Sequence, residues 1–183
     1  MTTYHSPFYN DFIIPVGNLR EQRNSYKRAD VIIVTKCPEL ISNDDLDHFR
    51  KKIQLHNNQN IFFTKINYDN NLKGDSKINL DLILDPIILV TGIANSDPIV
   101  DFLKNSRVVF EHISYSDHFN YSQNDIDKIE KNSNKLIITT EKDFQKIQLL
   151  KRKNKWVYLE IKIEFLENES IFNSLIDKAI NTS

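Results

Sequence analysis

The chain holds three glycines, Gly17, Gly74 and Gly92. A phosphate-binding P-loop needs two glycines five positions apart, then Lys and Ser or Thr, because backbone N–H groups must wrap the phosphates. No two of these glycines stand at that spacing, nor at the closer spacing of a dinucleotide-binding turn. Neither cradle is encoded in these residues. A lone cysteine, Cys37, excludes an internal disulfide and fits a reducing compartment. No run approaches the roughly 18 consecutive apolar residues of a membrane-spanning helix. The longest apolar region, Leu82 to Ala94, is broken by Asp85 and Pro86. Met1 to Asn10 has neither the basic start nor the apolar stretch of a signal peptide. Basic and acidic residues nearly cancel, 24 against 25, so no global basic field draws the chain to nucleic acid or anionic lipid. The 183 residues, 40% hydrophobic and 27% charged, suit one globular region able to bury a core without disulfides or metals.

What is present is an alternation of β-branched runs and helical segments. Strands are expected at Asp30–Thr35, Ile61–Tyr68, Pro86–Gly92, Arg107–Ile113, Lys135–Thr140 and Lys155–Ile163. The first five are near-continuous apolar runs, as in strands covered on both faces; the sixth alternates. Helices are expected after Ser42, a candidate N-cap followed by acids, and from Asp97-Pro98, Ser122 and Asp143. Ser170–Ile180 is amphipathic through Ile171, Leu175, Ile176 and Ile180. Asp69–Asn79 reads as a long loop, and no domain boundary is placed on it. This order predicts an α/β fold, a mainly parallel sheet flanked by helices, as a single region over 1–183. Tyr4–Phe12 is aromatic and polar, with no strand–helix unit before it to cover that edge. The chain reads as if it begins mid-domain.

In open α/β sheets ligands bind at the carboxyl ends of strands. The residues after the expected strands are therefore the candidates. Asp117-His118 is the sharpest, since an Asp near a His orients or charges the imidazole for proton transfer. The bland reading is a surface turn with a capping Asp. Thr140-Glu141-Lys142-Asp143 either sets a Lys and hydroxyls near a phosphate or simply caps a helix. Asn95 lies on the turn that begins with Gly92. Arg20, beside Glu21, is either a fork donor for phosphate or half of a solvated ion pair. Tyr115, Phe119 and Tyr121 either line a groove or belong to the core. Cys37 reads as a small buried residue. His5, His48, His56 and His112 show no metal-ligand spacing, and no metal site is assigned.

Several motifs, in order, resemble the tetraacyldisaccharide 4'-kinase (lipid A 4'-kinase) family, in its C-terminal half. They are Pro15-Val-Gly-Asn-Leu-Arg-Glu21, Arg28-Ala-Asp30 with Val34-Thr-Lys-Cys-Pro38, the strand from Phe62-Phe63 to Tyr68, Val90-Thr-Gly-Ile-Ala-Asn95, Ser116-Asp-His-Phe119 and Thr139-Thr-Glu-Lys-Asp143. The resemblance runs from about Ile13 to Asp143. It implies a P-loop kinase-related fold, truncated at the N-terminus. It implies transfer of the ATP γ-phosphate, with Mg2+, to the 4'-hydroxyl of a tetraacyl glucosamine disaccharide lipid. The setting would be cytoplasmic, peripheral to the inner membrane, with no nucleic-acid partner. By resemblance, His118, with Asp117, supports a carboxylate base in the family's N-terminal half, and Arg20 stabilises phosphate charge in the cleft. Asn95, Thr140, Glu141, Lys142 and Asp143 shape the same cleft on the nucleotide side.

The sequence departs from the family where its P-loop, acidic strand end and membrane-binding helix precede Pro15. Phe119 stands where a second His is frequent, and Ser96-Asp97 intervene before Pro98. The resemblance therefore implies a chain that needs the missing N-terminal kinase half to bind ATP productively. The rival expectation is a non-enzymatic module that binds a phosphosugar or a partner with the same residues.

Overall fold

The computed structural model describes residues 1–56, 58–131 and 134–181. The β-branched runs form strands β1 (Thr2–Thr3), β2 (Val31–Thr35), β3 (Asn60–Tyr68), β4 (Asn71–Gly74), β5 (Ile78–Asn79), β6 (Ile87–Thr91), β7 (Phe110–Ser114), β8 (Ile137–Thr140), β9 (Trp156–Leu159) and β10 (Ile161–Phe165). The helices are α1 (Asn43–Ile53), α2 (Asp97–Asn105), α3 (Gln123–Ile129), α4 (Glu141–Ile147) and α5 (Glu169–Asn181). Two compact units result: Met1–Asn67 with the segment from Ile163 onward, and Tyr68–Lys162.

The first unit holds a sheet in the order β1-β2-β3-β10, with β1, β2 and β3 mutually parallel. Helix α1 starts in a capping box. Ser42 Oγ accepts the Asp45 N–H, and the Asp45 carboxylate accepts the Ser42 N–H, so two otherwise unpaired N–H groups are satisfied. Leu46, Phe49 and Ile53 recur at helical spacing and pack on Ile32, Val34 and Phe63. The aromatic N-terminal segment, expected to leave an edge uncovered, closes this core: Tyr4 stacks on Phe49 at 5.1 Å, and Tyr9 meets the same ring at 5.7 Å. Helix α5 buries no residue; Ile171, Ile176 and Ile180 stay exposed, and the Phe172 ring meets those of Phe62 and Phe165.

The second unit holds a sheet in the order β5-β4-β9-β8-β6-β7. Its four strands from β9 to β7 are parallel, and β4 and β5 add an antiparallel edge. Every residue of β6 is buried. Ile87 and Leu89 face a cluster containing Ile99 and Leu103 of α2, while Ile88 and Val90 face one containing Ile126 and Ile129 of α3 and Phe144 and Ile147 of α4. Helices thus cover both sides of the strand, which explains its unbroken apolar run.

Four expectations change. Strand β7 is an edge strand only partly buried, and Arg107 to Val109 lie outside it, because Arg107 turns the chain at φ 60°. Strand β2 alternates in burial rather than being buried throughout. The expected Lys155–Ile163 strand divides at Glu160 into β9 and β10, which join different sheets. Asp69–Asn79 is not a plain loop but carries β4 and β5, because β4 pairs with β9 through Lys73–Tyr158 and Gly74–Val157. Gly74 makes that pairing possible: its φ is 136°, and a Cβ there would lie 2.7 Å from the Trp156 carbonyl oxygen.

Candidate functional site

Three turns leave the carboxyl ends of neighbouring parallel strands in the second unit. The turn after β6 carries Gly92 to Asn95, the turn after β7 carries Asp117 and His118, and β8 runs straight into α4 through Thr140. Asp117 receives the His118 backbone N–H at 2.9 Å and the Lys142 ammonium at 3.4 Å, both on Oδ1. Its Oδ2 lies 3.6 Å from His118 Nε2. His118 is exposed and sits at φ 59°, a left-handed backbone that non-glycine residues adopt at some cost. Partial burial pushes the Asp117 carboxyl up. The Lys142 hydrogen bond, the His118 amide and the Lys142 charge outweigh it and hold the group below its ordinary value.

Thr140 is the N-cap of α4: its Oγ accepts the Asp143 N–H at 3.1 Å. Asp143 is wholly buried. Its Oδ2 accepts the Gly92 N–H at 2.8 Å and the Thr140 hydroxyl at 2.9 Å, and its Oδ1 accepts Lys146 at 3.2 Å. Lys146 also donates to the Phe119 carbonyl at 3.0 Å. Asp143 therefore holds the turn rather than facing a ligand, whereas Glu141 and Lys142 are exposed. Asn95 is exposed, and its Oδ1 accepts the Asp97 N–H at 2.9 Å at the start of α2.

A cavity of about 430 Å³ opens beside these turns, lined by Ile93, Ile99, Leu159 and Ile161 and by Thr140 and Lys142. Tyr115, Phe119 and Tyr121 are core rather than groove. Their rings meet one another within 4.4 to 5.3 Å and pack on the β6–α3–α4 cluster. Burial, then the Asp143 charge, pushes the Tyr121 phenol far up. Sequence reasoning missed Lys146. The signal for Lys146 was its position three residues after Asp143 on one helix face.

Arg20 belongs to the first unit, where it lines a cavity of about 340 Å³ with Phe8, Leu19 and Tyr26. Glu21 pairs with Arg28, not with Arg20. Cys37 is buried, and burial pushes its thiol up to about 11, which leaves it unreactive near neutral pH. Among the described residues no group of three or more His, Cys, Asp or Glu stands together as a metal site.

A family model described as tetraacyldisaccharide-1-P 4'-kinase matches residues 1–181. The tetraacyldisaccharide 4'-kinase of Flavobacterium johnsoniae is 36% identical over 176 residues, which cover 94% of this chain and 51% of that protein. The protein of the same name from Bacteroides thetaiotaomicron is 35% identical over 192 residues, covering 92% and 50%. The chain spans about half the length of the curated relatives it matches. A crystal structure of LpxK from Aquifex aeolicus, an "apo" form in complex with ATP, superposes with a TM-score of 0.64 at 21% identity, covering 92% of this chain and 48% of that one; the likeness is one of fold. The mainly parallel α/β architecture expected from the alternating runs is the one observed. Matched by its family model along nearly its whole length, the chain belongs to the tetraacyldisaccharide-1-P 4'-kinase family.

Proposed function

We propose that this chain is the C-terminal, acceptor-side part of an ATP-dependent kinase that phosphorylates the 4'-hydroxyl of a tetraacyl disaccharide 1-phosphate. One observation carries the reading: Asp117, His118 and Lys142 converge at the carboxyl ends of β7 and β8 in a chain of this family.

Phosphoryl transfer asks a protein mainly for positioning and charge neutralisation. The His118 imidazole is exposed and free to meet a carboxylate or a sugar hydroxyl. The Asp117 carboxylate stands 3.6 Å from its Nε2. In this reading His118 supports the carboxylate that takes the hydroxyl proton, and that carboxylate belongs to the other half of the kinase. The Lys142 ammonium offers a counter-charge to phosphate. The sequence holds no P-loop, so the other half cradles the ATP phosphates. Mg2+ bound with those phosphates would help neutralise their charge. Among the described residues no helix is long and apolar enough to cross a membrane. The kinase works peripherally at the cytoplasmic face of the inner membrane, where an acylated acceptor resides.

The test is phosphate transfer from ATP to tetraacyl disaccharide 1-phosphate, measured for this chain alone and for the full-length kinase carrying its sequence. The chain alone is expected to be silent and the full-length kinase active. His118→Ala in the latter should lose about 10²-fold or more, the usual scale for groups that assist proton transfer. Turnover by the chain alone would overturn the division of labour. Unchanged turnover in His118→Ala would favour a binding module without chemistry.

A further inference from the structure

We propose that Asp143 is a positioning residue: from beneath the site it fixes the three turns that carry Gly92–Asn95, Asp117–His118 and Thr140–Lys142. The inference rests on the functional reading above and adds to it a residue that touches no reactant.

The carboxylate reaches all three turns. On Oδ2 it holds the Gly92 N–H of the turn after β6 and the Thr140 hydroxyl at the end of β8. Through Oδ1 it holds Lys146, whose ammonium donates in turn to the carbonyl of Phe119, the residue after His118. Helix capping alone would need only the Thr140 contacts. The bonds to Gly92 and Lys146 exceed it, and each ties down a turn from elsewhere in the sequence.

Burial decides which contact governs the position of His118. The surface contact, Lys142 to Asp117, spans 3.4 Å, with side chains 45% and 39% exposed. Such pairs hold little, because water and salt screen them. Asp143 has no exposed surface, so its bonds act in a medium where they are stronger and where an unmade bond is costly. The turn is therefore set from below, by Asp143 and Lys146, rather than by the ion pair visible at the surface. Gly92 fits the same design. A Cβ there would lie 3.0 Å from Asp143 Oδ1 and 2.8 Å from Tyr121 Oη, so only glycine lets the amide approach the carboxylate this closely.

The experiment is a double-mutant cycle in the full-length kinase, combining Asp143→Asn with His118→Ala. Asparagine keeps the shape but loses the charge that gathers three donors. Asp143→Asn alone is expected to lower kcat by about 10- to 10²-fold, the scale of a small misplacement of a reacting group, with KM for ATP nearly unchanged. In the His118→Ala background the same change should cost less than about threefold, because the residue it positions is already gone. Equal losses in both backgrounds would mean a general folding role and would overturn the proposal. Normal turnover by Asp143→Asn, with His118→Ala still impaired, would overturn the positioning role alone. Normal turnover by His118→Ala would overturn the functional reading and this inference together. Should Asp143→Asn fail to fold, Thr140→Val removes one donor and keeps the carboxylate. A smaller kcat loss with the same dependence on His118 is then expected, and a loss independent of His118 refutes the role.

Discussion

The Glu130 carboxylate and the Trp156 indole N–H meet at 2.8 Å, with both side chains withdrawn from water. The same carboxylate accepts the backbone N–H groups of Lys153 at 2.8 Å and Asn154 at 3.2 Å. One side chain at the end of α3 thereby holds the turn that leads into β9. Leaving a buried donor without its partner costs about 1–3 kcal/mol. Glu130→Ala orphans several, so a loss of about 3 kcal/mol or more is expected. Glu130→Gln, which keeps one acceptor oxygen, should lose about half of that. Urea unfolding followed by the single tryptophan reads both. A midpoint unchanged in Glu130→Ala would refute the account.

Asp117 supplies a prediction about protonation. Its carboxyl lies below the ordinary value because the Lys142 hydrogen bond, the His118 amide and the Lys142 charge outweigh the opposing effect of burial. A depressed carboxyl contributes stability above its unfolded value of 3.8, and that contribution is lost as pH falls through the lower folded value. Lys142→Met removes one hydrogen bond and one charge, so Asp117 should titrate at higher pH in the variant. Carbon-13 titration of the side-chain carboxyl measures this directly. An unmoved midpoint would show that Lys142 does not hold Asp117 in solution.

Much of this was legible in the sequence because it is local. Ser42, followed by acids, announced an N-cap, and Ser122 a helix start; both residues cap their helices. The apolar run of β6 announced a strand covered on both faces. The Asp117-His118 pair stood out because both residues lie in one turn. What stayed hidden is non-local. Asp143 read as a first-turn acid, a position usually exposed, and became buried because Gly92, 51 residues away, brings its amide to the carboxylate. Lys155 to Ile163 read as one strand because nothing in the run announces a change of sheet at Glu160. The apolar side of α5 was legible too, but its burial is not a local property.

His112 turns burial into a pH dependence. Its ring lies between β6 and β7, with Nε2 2.9 Å from Thr91 Oγ1, and burial lowers its pKa from 6.5. The folded chain therefore binds this proton less readily than the unfolded one. The cost to stability is absent well above pH 6.5 and grows as pH falls through that value, when the unfolded chain takes up the proton first. His112→Gln keeps a polar group opposite Thr91 and removes the titration. Its urea midpoint should fall less than the parent's between pH 7.5 and about 5.5, a window that brackets an ordinary imidazole. Parallel pH profiles would refute the assignment.

The Gly92–Tyr121 approach yields the sharpest stability test. The Tyr121 hydroxyl is buried and has no hydrogen-bond partner among the described residues. A methyl group at position 92 would lie 2.8 Å from that oxygen, closer than carbon and oxygen tolerate. Overpacking of this kind costs about 1–3 kcal/mol, so Gly92→Ala should unfold at clearly lower urea. Tyr121→Phe removes the obstructing oxygen and with it a buried polar group that lacks a partner, so alone it should be neutral or mildly stabilising. The pair should then be non-additive: Gly92→Ala costs less in the Tyr121→Phe background, because its nearest obstacle is gone. Rescue should be partial, since Asp143 Oδ1 still stands 3.0 Å from the new methyl. Strict additivity would place the strain elsewhere, on the Asp143 carboxylate rather than the phenol. A Tyr121→Phe loss of about 1.5–3 kcal/mol, as expected when a hydrogen bond to a charged group is deleted, would show that the hydroxyl has a partner.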